Sequence, residues 1–312
     1  MARAWDLLVR QIDEIFGWSP APAPGASRPG AMADGELRAA LHAVAAGLLH
    51  AINPARQASF PADGDPRWRF NLPATAQAHV RAMATAASEA FAAAVTGLDS
   101  HASSAALAAV GRLAETLARA RWLLEPADPG RRRERGYALT AQAISRLAAT
   151  ADRAREAGGT DQAGWVGQIA DRAATMNARL AELIRDDELA AVPVPDRLGL
   201  LPAYLSGGEL QLFSLLSAAD PGAVTAPSAL FYHEAGAGDA LRAFQRLHVT
   251  RAFWLARAIT LYADICAAAA PVLGRSDWPG IISRAQARFR PLGHEAERRY
   301  GQRLQRGLHP GL

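Results

Sequence analysis

Arg112, Glu115, Arg119 and Trp122 recur at spacings of three, four and three, leading into the segment "ARARWLLEPADPGRRRER" at 118–135. On a helix this spacing sets the four on one stripe, beside a second stripe of Leu113, Leu117, Ala120 and Leu124. An acid and an arginine four positions apart can pair along the helix. If the helix is central, Glu115, Arg119 and Trp122 would line a cavity and position a polar substrate, because a buried charge requires a partner. The plainer alternative is a solvated ion pair worth about 0.3–0.5 kcal/mol. Behind the stripe, arginine fills four of the five positions 131–135 at the start of the next helix, where the macrodipole disfavours cations. Glu125, Asp128 and Glu134 are near enough in the chain to offset that charge, so a wet basic turn is expected there.

A second group surrounds His248. At about 100° per residue, Leu241, Phe244, His248, Ala252, Leu255, Ile259, Tyr262 and Cys266 fall on one face of a helix, and Arg242, Arg246, Arg257 and Asp264 on the other. His248 is therefore a candidate general acid or base, with His233 and Glu234 of "ALFYHEAGAGDA" as further candidate catalytic groups. Against this stands the common case of a hydrogen-bonded core histidine. Tyr204 and Tyr262 join Arg112, Glu115, Arg119 and Trp122 as candidate substrate-binding residues. Two histidines and a glutamate could ligate a metal, but they lack the i,i+3 or i,i+4 spacing of a helical site. No metal and no cofactor is expected. "RDDEL" at 185–189 lacks the further carboxylate of an aspartate-rich magnesium site, and "SGGEL" at 206–210 is no phosphate loop, since the chain has no lysine to complete one.

The elements that must position these groups read as helices. Alanine makes up roughly a quarter of the chain, and it is the best helix former and a poor strand former. Leu37, Leu41, Val44, Leu48 and Ile52 predict a helix capped by Asp34. A short amphipathic helix is expected over 4–16, followed by a proline-rich linker at 19–30. Longer helices are expected over 74–97, 100–124, 131–157, 161–188 and 239–270, with shorter ones near 203–217, 279–290 and 294–307. Pro126 stops one of them, and the glycines of "EAGGTD" separate two others. The prolines at 190–202 mark a candidate boundary. The expectation is an all-α multi-helix bundle, with an N-terminal helix and linker over 1–32, an alanine-rich bundle over 33–189 and a C-terminal helical unit over 190–312.

Composition narrows the partners. With 34 basic residues, all arginine, against 30 acidic ones, the net charge is +4, too small and too evenly spread for a nucleic-acid footprint. One cysteine, Cys266, allows no intramolecular disulfide and fits a reducing interior. Asp6, Asp13 and Glu14 interrupt the N-terminal apolar residues, so neither a signal peptide nor a membrane span is expected and the chain reads as cytoplasmic.

Three stretches carry a resemblance. "RLAETLARARWLLEP" at 112–126, "RRRERGYALTAQAISRL" at 131–147 and "LPAYLSGGELQLFSLLS" at 201–217 together resemble a group of all-helical actinobacterial proteins without a settled activity. Those carry a glutamate, an arginine and "WLL" before a proline, then a serine and glycine followed by histidine. Here Ser206 and Gly207 lead into Glu209, Leu210 and Gln211 instead, so a catalytic role for that histidine would not transfer.

The leading expectation is a protein that binds a small molecule or a partner protein between its helices, with no nucleic acid and no membrane involved, and with a homodimer as an open alternative. The rival is an enzyme in which His248 or His233 moves a proton while Glu115 and Arg119 hold a polar substrate. A third reading is a purely structural scaffold.

Overall fold

A computed structural model describes residues 32–52, 76–99, 103–156, 163–186, 190–205 and 248–308. Every regular element among them is a helix: α1 (Asp34–Ala51), α2 (Ala76–Asp99), α3 (Ser103–Leu124), α4 (Pro129–Glu156), α5 (Ala163–Asp186), α6 (Arg197–Tyr204), α7 (His248–Ala269) and α8 (Trp278–Leu308). The expected helix at 4–16, and most of that near 203–217, lie outside the described residues.

Helix α1 buries Leu37, Leu41, Ala45 and Leu48, one residue per turn along one face. Its first residue is Asp34, which does not cap it as its position predicts. Ala33 holds the cap position, its N–H donates to the Glu36 carboxylate at 2.7 Å, and Asp34 instead meets Arg299 of α8 at 2.5 Å. A charge 265 positions away outcompetes the local backbone.

Helices α2 and α3 pack as a hairpin. Ala84, Ala87 and Ala94 on one side and Ala106, Ala109, Ala114 and Ala118 on the other are fully buried, and side chains this small let the two axes approach closely. Helix α7 runs against this hairpin and against α1 and α8. Consecutive residues from Ala252 to Ala256 are all buried, so α7 is enclosed around its circumference rather than along the one narrow face its spacing predicts. By length and composition Arg251–Ala269 could cross a membrane, but 72% of its apolar window is buried within the protein, whose other helices supply the apolar surroundings. Trp254, Trp278, Tyr262 and Phe91 fill the centre, with Phe91 stacked on Tyr262 at 4.4 Å between ring centres. Residues from both sides of position 190 share this single core.

Helices α4 and α5 pair mainly with each other over a smaller cluster of Tyr137, Ile144, Ala173, Leu180 and Leu183. The N-terminal half of α4 is tied to α2 where His79 meets the Thr140 hydroxyl at 2.9 Å.

Two expectations near prolines need correction. Helix α6 begins at Arg197 because Asp196 accepts the Gly199 N–H at 2.7 Å, so Pro202 falls inside the helix rather than before it. Similarly, 278–308 is one helix and not two. Pro291 removes one backbone N–H, yet Phe289, Leu292, Ala296 and Tyr300 on either side of it all pack on the same core. Gly293 admits the Phe289 ring: a Cβ there would lie 2.6 Å from its tip.

Candidate functional site

The residues whose spacing suggested a site occupy three settings. Arg119 Nη2 donates to Glu115 Oε1 at 2.8 Å, and the side chains remain 24% and 29% exposed. This is the half-solvated intrahelical pair. Arg112, one turn earlier, uses its carbonyl to accept the Thr116 hydroxyl at 2.7 Å. Trp122 turns away from that pair into the core, 3% exposed.

The second setting answers what the arginine run does. Arg135 reaches back to donate to the Trp122 carbonyl and to Glu125, with its guanidinium over the Trp122 ring at 5.0 Å. Arg132 donates to the Pro126 carbonyl at 2.5 Å. Arg135 therefore satisfies a carbonyl in the last turn of α3, where helices leave such acceptors orphaned, and Arg132 fastens the turn that follows it. Asp128 accepts the Arg131 N–H at 3.0 Å and starts α4. Tyr204 belongs to the same clamp: its hydroxyl donates to Glu125 at 2.8 Å, and its carbonyl accepts from Arg121, which also meets Asp264 of α7 at 3.4 Å. The Tyr204 and Arg135 hydrogen bonds hold the Glu125 carboxyl below its usual range.

Tyr262 forms the third setting, inside the core. Its hydroxyl lies 2.8 Å from the Ile52 carbonyl that ends α1 and 2.8 Å from the Ser88 hydroxyl of α2. Burial raises its pKa far above the ordinary phenol range, which makes it a buried strut and not an acid. His248 is the first described residue of α7, but its side chain lies outside the described residues, as do His233 and Glu234 entirely. No group of three His, Cys, Asp or Glu side chains suited to a metal occurs among the described residues.

A different cluster has unmet chemistry. Where α1, α2 and α7 meet, Arg38 Nη1 donates to Asp99 Oδ1 at 2.7 Å. His42, one turn after Arg38, holds its Nε2 3.7 Å from the same oxygen, near enough for charge attraction and too far for a hydrogen bond. Arg251 is 7% exposed, and its Nε and Nη2 are buried with no hydrogen-bond partner. Arg38 Nε and His42 Nε2 are also buried without one. Burial, then the neighbouring Arg38 charge, pull the Arg251 guanidinium below its ordinary value, and Asp99 pulls it back. Burial outweighs the attraction of Asp99 at His42, with Arg38 adding to it, so the imidazole stays neutral at pH 7. Two guanidinium charges thus face one carboxylate, itself 62% exposed and anchored to Arg38.

Spacing singled out none of these four residues. Arg251 carries the one legible signal: it adjoins Ala252 and precedes Leu255 by one turn, so it sits on the apolar side of its helix. Compared with protein-family models, with curated proteins and with solved structures, the chain matches none of them.

Proposed function

We propose that this chain is a helical binding protein for a small molecule with an anionic group, received where α1, α2 and α7 meet. One observation carries the reading: the buried Arg251 guanidinium has two nitrogens without partners. Leaving a buried charge uncompensated costs several kcal/mol, which a bound anion would recover. The Glu115–Arg119 pair and the Tyr204 clamp already have partners, so neither creates the same demand. A cytoplasmic setting suits the lone buried Cys266, whose thiol burial pushes up to about 12 and so keeps unreactive.

The test is thermal unfolding at constant ionic strength with increasing acetate, for the wild type and Arg251→Met. A ligand at about 100 times its Kd adds about 2.7 kcal/mol of stability. Saturable stabilisation in the wild type and none in the variant is expected. Equal shifts in both proteins would remove the site.

A further inference from the structure

The structure assigns a chemical class to the ligand of this site: a carboxylate, gripped side-on by Arg251. The inference rests on the anion-binding reading above and adds geometry and charge to it. In a planar guanidinium, the Nε–H and Nη2–H bonds point in parallel along one edge, and those are the two nitrogens of Arg251 that are buried and unpartnered. That edge matches two oxygens on one centre, the bidentate arrangement of arginine with carboxylate or phosphate, whereas a halide can accept only at a point.

Charge separates the two oxyanions. Among the described residues, Arg38 and Arg251 bring two positive charges and Asp99 removes one, while burial keeps His42 neutral, so one positive charge is left over. Of the other charged groups that neighbouring helices carry, Arg299 of α8 is paired to Asp34 and Glu295, Arg257 of α7 to Glu297, and Asp264 of α7 to Arg121. A monoanionic carboxylate balances the remainder. A dianionic phosphate or sulfate would leave a net negative charge in a desolvated place, at an electrostatic cost.

Calorimetric titration of the full chain at about pH 7.5 and fixed ionic strength, with acetate, sulfate and chloride in turn, tests the assignment. Acetate is expected to bind about tenfold or more tightly than chloride, from two hydrogen bonds to a charged donor, and more tightly than sulfate. Arg251→Lys keeps the charge and loses the fork, so its acetate preference over chloride is expected to vanish. The wild-type series decides the order of anions even if the variant does not fold. Chloride binding as well as acetate, or a folded Arg251→Lys that keeps the preference, would overturn the fork while leaving an anion site. Sulfate binding more tightly than acetate would overturn the carboxylate assignment. No binding of any anion would overturn this inference and the proposed function together.

Discussion

Arg251 of α7 and Arg38 of α1 hold like charges close enough for Arg38 to disfavour ionisation of Arg251, and the Asp99 carboxylate that relieves them is bonded to Arg38 alone. Without a further counter-charge, this arrangement carries an electrostatic cost. Four substitutions separate that cost from ordinary structural roles.

Asp99→Asn removes the negative charge and keeps the side-chain shape. Leaving Arg38 without its counter-charge is expected to destabilise the protein by about 1–3 kcal/mol, discounted toward the lower end because Asp99 is well exposed. The excess becomes two positive charges, so the order of anions is expected to invert, with sulfate now binding more tightly than acetate. Calorimetric titration of the variant reads this out, and an unchanged order would refute the charge balance.

His42 gives the site a pH dependence. Its folded pKa lies below the unfolded value of 6.5 because of burial. The unfolded chain therefore binds the proton first, so this residue costs stability as pH falls through and below about 6.5 and costs nothing above that range. His42→Gln is expected to flatten part of the acid-side decline between about pH 7 and pH 5 in urea unfolding. A steeper decline in the variant would mean the imidazole is stabilised as a cation instead.

Tyr262→Phe keeps the stack on Phe91 and deletes the hydroxyl that meets the Ile52 carbonyl and Ser88. A buried acceptor left unpaired costs about 1–3 kcal/mol, and that loss is expected in denaturant midpoint with an unchanged slope. Anion binding is expected to survive. A variant as stable as the wild type would mean that Tyr262 does not fasten the end of α1.

Glu115→Ala breaks a pair that is about a quarter exposed on each side. Its expected cost is about 0.5 kcal/mol or less, and the acetate response is expected to match the wild type. A lost acetate response would return the site to the α3 stripe.

Much of the scaffold was legible. The spacing predicts helices where α2, α3, α4 and α5 stand, because alanine propensity acts locally and Pro126 follows the last residue of α3 by two positions. Helix ends set by distant partners were not. Asp34 pairs with Arg299 instead of capping, and α8 continues through Pro291 because its core contacts lie on both sides of it. The face of α7 was misjudged for a related reason: periodicity describes one helix, whereas burial on every side depends on the four neighbours that enclose it. The candidate cluster was hidden most completely. Its members stand at 38, 42, 99 and 251, and no spacing within one helix can show that three helices converge.

The most direct measurement is nitrogen-15 NMR of the arginine Nε–H groups during an acetate titration, with Arg251→Lys identifying the Arg251 resonance. One Nε–H signal is expected to move downfield saturably and to be missing from the variant, as a side-on carboxylate forms a charge-assisted hydrogen bond to it. An Arg251 signal that stays fixed while acetate is raised to saturation would contradict the account.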